Sequence, residues 1–137
     1  MINFLLMYKK EIRSLLEYAV QIWNGAITKK DSYKIENIQK IFLKLLLKQK
    51  YQSYSEACEL YDLKKLFIRR HDMCIKFALK EYKRNTNFFQ KIYTRKYRKV
   101  SKKKFVHEPQ TRTSRHFNSC YSYLSRILNE KLQHTKQ

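Results

Sequence analysis

An all-α fold is what this sequence predicts: a small bundle of about five helices, with a basic, largely irregular segment before the last of them. Three observations lead there. Apolar residues recur at steps of three and four over most of the chain, the period of one buried helix face. The 137 residues hold one Gly and one Pro, too few for a turn-rich all-β fold or a glycine-rich phosphate loop. Apolar residues make up 43% and aromatic residues 15%, so a core is within reach. A chain of this length fits one domain and buries about two-thirds of its unfolded surface. Composition divides it into a helical part, 1–93, a basic irregular segment, 94–119, and a C-terminal helix and tail, 120–137.

The first helix is expected from Ile2 to Trp23. Leu5, Leu6, Ile12, Leu15, Leu16, Ala19, Val20 and Trp23 form one apolar stripe, and Arg13 and Glu17 are spaced to pair on the wet side. Asn24-Gly25 ends it, with Gly25 free to take the left-handed conformation. Thr28 to Asp31 reads as a capping box, with Asp31 or Ser32 as alternative caps.

The second helix runs from about Ser32 to Gln49. Ile35, Ile38, Phe42, Leu45 and Leu46 are expected to face in, while Lys40, Lys44 and Lys48 make an outward ridge at i, i+4, i+8. Ser53 and Glu56 cap a short helix through Leu60, with Ala57 and Leu60 inward. A long helix follows from Leu63 to Arg84, on a stripe of Leu66, Phe67, Met73, Cys74, Phe77 and Ala78. Asn85-Thr86-Asn87 breaks it, and Phe88 to Tyr93 has room for one or two more turns.

Composition then shifts. Between Lys91 and Arg115 stand ten basic residues, with Glu108 the only acid and Pro109 the only proline of the chain. No helical period survives there. The last helix is expected from about Cys120 to Leu132, docking Tyr121, Leu124, Ile127 and Leu128.

Charge speaks about partners. Lys plus Arg total 31 against 11 Asp plus Glu, a net charge of +20. Such a surface repels itself and attracts polyanions, either nucleic acid or anionic lipid. Lys, Ile, Tyr, Phe and Asn share A/T-rich codons, so genome composition is a second source of the same charge. Lys outnumbers Arg 22 to 9, which fits diffuse phosphate attraction better than bidentate reading of bases.

Two stretches present themselves for nucleic acid. The Lys40, Lys44, Lys48 ridge places ammonium groups about 6 Å apart along one face, a spacing that can track a phosphate backbone, although any surface helix has a charged face. In the second stretch Lys96, Arg98, Lys99, Lys102, Lys103 and Lys104 are interleaved with Tyr93, Tyr97 and Phe105, combining phosphate contacts with rings on which bases stack.

No enzyme site assembles. The acids Glu11, Glu17, Glu36, Glu56, Glu59, Asp62, Asp72 and Glu81 are scattered, and surface pairing with lysines accounts for them. There is no Asp-Asp pair, no GxSxG, no HExxH and no Walker loop. His71-x2-Cys74 and His116-x3-Cys120 offer ligand pairs, but no zinc-finger spacing is matched, and Cys74 sits on an apolar stripe where a thiol packs as a small hydrophobe. The expectation is no metal and no cofactor. Three cysteines, an odd number without CxxC, point to reduced thiols in an intracellular compartment. The longest apolar run, Ile41 to Leu47, is interrupted by Lys44 and is far short of the roughly 20 residues of a membrane span.

Five blocks taken together carry a resemblance. They are Ile12-Arg13-Ser14-x-Leu16-Glu17-Tyr18 followed by Trp23; Ile35-Glu36-x-Ile38-Gln39-Lys40; Tyr51-x-Ser53-Tyr54-x-x-Ala57; Leu66-x-x-Arg69-Arg70-x-x-x-Cys74-x-x-Phe77-Ala78-x-Lys80; and Arg115-x-x-Asn118-Ser119-x-x-x-Tyr123-Leu124-x-x-x-Leu128-Asn129. Their order and spacing resemble the C-terminal, post-palm portion of the reverse transcriptase of jockey-like non-LTR retrotransposons, over about Ile12 to Asn129. Ser122 stands where that family often has Pro, and Lys91 to Glu108 is more basic than its counterpart.

The resemblance implies a thumb-like helical part of an RNA-directed DNA polymerase. The family's catalytic aspartates lie upstream of this region, so none maps onto the chain, and Met1 falls within what would be the helix after the palm. The expected function is therefore non-catalytic, sequence-independent binding of RNA or an RNA–DNA duplex, in nucleus or cytoplasm. Further partners would be the polymerase domains that precede this region, or another protein. The matching residues Tyr18, Trp23, Tyr54, Phe77 and Leu124 are expected in the core, and Arg69-Arg70 either on phosphate or on acids of neighbouring helices. Two rival readings are a protein-interaction module without a nucleic-acid role and a membrane-surface binder acting through the amphipathic helix 35–50.

Overall fold

The computed structural model describes residues 2–84, 87–89 and 104–135, and over these the chain is all-α. Among the described residues there are seven helices, five of them seven residues or longer. Helix α1 covers 2–17, with an α-helical start (Ile2–Met7), a π turn (Tyr8–Ile12) and an α-helical end (Arg13–Glu17). It is followed by α2 (Val20–Trp23), α3 (Lys29–Leu47), α4 (Tyr54–Leu60), α5 (Leu66–Lys83), α6 (Ser114–Phe117) and α7 (Cys120–His134). The chain forms two compact units, residues 1–20 with 27–71 and residues 21–26 with 72–137. Helix α5 contributes to the first unit up to His71 and to the second from Asp72.

In the first unit, Tyr8, Leu43, Ala57, Cys58 and Leu63 make the buried core, and Leu5, Ile12, Phe42, Leu47, Tyr51, Tyr54 and Tyr61 pack around it. Tyr8 stacks on Phe42 with ring centroids 4.2 Å apart. Both N-caps form. Thr28 Oγ1 accepts from the Asp31 N–H, and Ser53 Oγ from the Glu56 N–H, so α3 begins at Lys29, earlier than the sequence suggests. Helix α4 ends in a Schellman arrangement, with Leu63 N–H on the Cys58 carbonyl, Asp62 N–H on the Glu59 carbonyl and Asp62 at φ 48°.

Several expectations for this unit are corrected. The first helix is not continuous to Trp23. It breaks where Tyr18 takes ψ 130° and Ala19 takes φ 49°, which turns Glu17 inward and leaves Tyr18 78% exposed, outside the core. Leu15 is exposed as well. Glu17 does not pair with Arg13 on the wet side but is buried against Arg69, which settles Arg69 as the partner of an acid. Finally, the inward arc of α3 is centred on Gln39 and Leu43 rather than on Ile38 and Leu45. Gln39 has polar partners that fix its side of the helix, and the arc follows it. On α4 and α5, Leu60 and Phe67 are exposed rather than inward, while Leu66 and Ala57 are buried as expected.

In the second unit α7 supplies the buried Leu124, Ile127 and Leu128, all three expected from the period of the sequence. Cys74 and Ala78 of α5 are buried too. Phe77, Phe88, Phe89 and Tyr121 form a chain of ring contacts, with centroids 4.8 to 6.0 Å apart. Gly25 is not left-handed, since no glycine has a positive φ. Its role is close approach: a Cβ there would lie 2.6 Å from the Cβ of Tyr123 and 3.0 Å from the Asn118 carbonyl oxygen. Beside it, Asn24 Nδ2 donates to the Tyr123 hydroxyl at 3.0 Å and Cys120 Sγ to the Gln21 carbonyl at 3.2 Å. These contacts fasten residues 21–26 to the last helix.

The segment before α7 is irregular over 104–113, as expected, and is held by one side chain. Asn129 Oδ1 accepts from the N–H groups of Phe105 and Val106, and its Nδ2 donates to the Val106 carbonyl and to Glu108. All four hydrogen-bonding positions of a buried amide are filled. Helix α6, which the sequence does not announce, is capped by Thr113 and carries Arg126 stacked on its Phe117.

Candidate nucleic-acid interface

The lysine ridge stands on α3, and what positions it is a polar network beneath it. The Tyr8 hydroxyl donates to Gln39 Oε1 at 2.8 Å, and Gln39 Nε2 donates to the Tyr54 hydroxyl at 2.9 Å and to the Lys64 carbonyl at 3.2 Å. The Tyr54 hydroxyl donates in turn to Glu36. Glu36 completes the chain by accepting the N–H groups of Leu66 and Phe67, each at 3.0 Å. A carboxylate at the first turn of α5 answers two N–H groups that have no partner within the helix, and it sits at the positive end of the helix dipole. Burial raises the Tyr8 phenol well above its ordinary value. Burial, then the bond to Glu36, raises that of Tyr54. Both hydroxyls therefore stay protonated donors. Glu36, like Glu17, is thus a structural acid rather than a surface partner of lysine.

On this scaffold the side of α3 next to the core carries lysines against tyrosine rings. The Lys40 ammonium lies 5.7 Å from the ring centroid of Tyr33 and 5.7 Å from that of Tyr54. One turn on, the Lys44 ammonium lies 5.5 Å from the Tyr51 ring. A cation over a ring face is held by the ring quadrupole, by about 0.5–1 kcal/mol at an exposed site, and keeps its charge. Tyr33 is 65% exposed, so it extends the same strip at the surface. Lys48 departs from the ridge: with φ 48° and ψ −118° its backbone leaves the helical region, so the i, i+4, i+8 row is helical only as far as Lys44. Lys48 is exposed, and its N–H still reaches the Lys44 carbonyl. Upstream, Lys34 is tied to Asp31 at 3.0 Å; the bond from Thr28, then Lys34, lowers the Asp31 carboxyl below its ordinary range.

Of the second stretch, Lys96, Arg98, Lys99, Lys102 and Lys103 lie outside the described residues, as does the expected turn at 90–93. Lys104 is described. It belongs to the second unit, is exposed, and pairs with Glu108 at 2.7 Å. Burial raises the Glu108 carboxyl, but the bonds from Lys104 and Asn129 outweigh it and the net shift is downward.

Sequence reasoning missed the tyrosines of the strip. Tyr33 stands seven residues before Lys40, two helical turns along the same face, and that spacing was available as a signal. Tyr51 and Tyr54 reach the strip only through the fold. Of the other expected core residues, Leu124 is fully buried while Trp23, Tyr54 and Phe77 are half-buried. The buried Arg70 donates to Ser32 Oγ within the first unit.

Among the described residues no group of three or more His, Cys, Asp or Glu side chains gathers as a metal site requires. No helix among them is long and apolar enough to cross a membrane. No protein family, curated protein or solved structure matches the chain.

Proposed function

We propose that this chain is a non-catalytic, sequence-independent binder of RNA or an RNA–DNA duplex, acting in nucleus or cytoplasm and contacting the phosphate backbone from α3. The observation that carries the reading is the pair Lys40 and Lys44, one helical turn apart and each held over tyrosine, on a chain with a net charge of +20. Rings that hold an ammonium in place reduce the rotamer freedom it loses on meeting a phosphate. Lys48 and the segment Lys96 to Lys104 add further cations. The resemblance to the post-palm region of non-LTR reverse transcriptases supports the same reading, because a thumb-like module grips a duplex by its backbone.

The test is a salt titration of the full chain against labelled single-stranded RNA and an RNA–DNA duplex. Log affinity should fall linearly with log salt, and the Lys40→Gln/Lys44→Gln/Lys48→Gln triple variant should reduce the slope by about 2 on the single strand and about 3 on the duplex. A flat salt response, or an unchanged slope in the triple variant, overturns the assignment of these residues.

A second reading, a protein-interaction module, is favoured by one specific observation. Among the described residues fifteen large hydrophobic side chains are exposed, including Phe4, Leu15, Ile22, Ile41 and Leu45. It is pursued below for α3, where three of these residues are in register.

A further inference from the structure

Helix α3 has a second face that the phosphate reading does not use. Ile38, Ile41 and Leu45 are 41%, 50% and 70% exposed, and they stand at i, i+3, i+7. At 100° per residue they lie within an arc of about 60° on the solvent side, away from Gln39 and Leu43. This is a narrow seam of the a/d kind, the stripe one helix offers another, and not the broad apolar face of a helix lying in a lipid surface.

The charges around the seam select its occupant. Lys34 stands in line one turn before Ile38, and Lys44 stands in the g position beside Leu45. Both are exposed. Of the two acids on α3, Asp31 is already bonded to Lys34 and Thr28, and Glu36 to Tyr54 and the first N–H groups of α5. A second copy of the chain would bring the same lysines and another +20 to the contact. A helix with acids at the positions flanking its own apolar seam would meet opposite charge at Lys44, and at Lys34 in exchange for Asp31.

We infer that the Ile38/Ile41/Leu45 seam of α3 is a docking surface for an acidic amphipathic helix of a partner protein. The seam supplies three apolar anchors at the spacing of helix–helix recognition. Lys44, as a g charge does in paired helices, and Lys34, at the N-terminal end of the seam, set partner sign and orientation. Because Lys44 also belongs to the phosphate strip, RNA and the acidic helix compete at that residue.

The probes are two synthetic helical peptides with leucine at a and d, one with glutamate and one with lysine at e and g, titrated against the full chain by fluorescence anisotropy. The glutamate peptide should bind and the lysine peptide should not. The Ile41→Ser/Leu45→Ser variant changes exposed side chains only. It should weaken glutamate-peptide binding at least tenfold while leaving the salt-dependent RNA affinity unchanged, which separates this inference from the nucleic-acid reading. Lys34→Glu should weaken the glutamate peptide and admit the lysine peptide. Equal glutamate-peptide binding by chain and double variant would mean that net charge alone attracts it, and would overturn the inference. So would self-association, or sedimentation with phosphatidylserine vesicles, that the double variant abolishes, because the seam would then belong to a second copy or to a lipid surface.

Discussion

Each unit has its own kind of core. In the first, a glutamine side chain lies at the centre, with Tyr8, Tyr54, Lys64 and Glu36 bonded around it in one connected network. In the second, the buried aliphatic residues of α7 and a run of aromatic contacts dominate, and the amide of Asn129 serves to pin one irregular segment. A polar centre is stable only when every member is satisfied, since an unpaired buried group costs about 1–3 kcal/mol. An aliphatic centre loses stability in proportion to the volume removed and tolerates partial repacking. The first unit should therefore fail at single atoms, and the second by degrees.

The comparison is broken most directly at Gln39. Replacing it with leucine keeps the bulk but leaves the Tyr8 hydroxyl without its acceptor and removes the bonds to Tyr54 and to the Lys64 carbonyl. Gln39→Leu should cost about 3 kcal/mol in urea unfolding, with amide exchange accelerating across α1, α3 and α4 ahead of α7. A loss under about 0.5 kcal/mol would show that apolar packing, not the network, holds the first unit.

Asn129→Ala is the matching change in the second unit. It removes four hydrogen bonds but leaves Leu124, Ile127 and Leu128 in place. The expected loss is about 2 kcal/mol, with exchange at the Phe105 and Val106 amides rising far more than exchange within α7. Equal acceleration throughout α7 would make the pin as central to its unit as Gln39 is to the first.

The smallest effect is a gain. Ala19 holds φ 49° at the break after α1, where a side chain is penalised and glycine is not. Ala19→Gly should stabilise the chain by up to about 1 kcal/mol, offset in part by the greater freedom of glycine in the unfolded state. A loss in thermal unfolding would show that the Ala19 methyl packs well enough to outweigh the backbone strain.

These same elements show what the sequence displays and what it hides. Thr28 with Asp31 and Ser53 with Glu56 were legible because a cap is a local event, decided within four residues. Leu124, Ile127 and Leu128 were legible because they recur at helical spacing on α7, and the buried polar Ser122, Ser125 and Asn129 beside them do not displace them. The break at Tyr18–Ala19 was not, because alanine is the strongest helix former and no local signal opposes it. It is set by distant contacts, with Glu17 held by Arg69 and Val20 fully buried. The face of α3 was misjudged because hydrophobicity ranks Ile38 and Leu45 above Gln39, whereas hydrogen-bond partners from α1, α4 and the α4–α5 connection decide the matter. At the candidate interface the lysine spacing was visible, but the tyrosines from α4 and the turn before it reach Lys40 and Lys44 only once the chain has folded. Lys48, with its positive φ, leaves a row that a helical wheel would have kept whole.

The Gln39 amide has two unlike ends, and the network uses both. Its oxygen receives from Tyr8 and its nitrogen gives to Tyr54, whose single proton is then committed to Glu36. Donation thus runs one way, from Tyr8 to an anion that also gathers two backbone protons of α5. A sequence of donors with a fixed sense admits one partner at each link, so it acts as a test of alignment. Rolling α3 by one residue would put Ile38 or Lys40 opposite Tyr8, and neither can both take and give a proton. The orientation of the longest helix is thereby specified by a polar residue, and the apolar seam is left facing outward as a result.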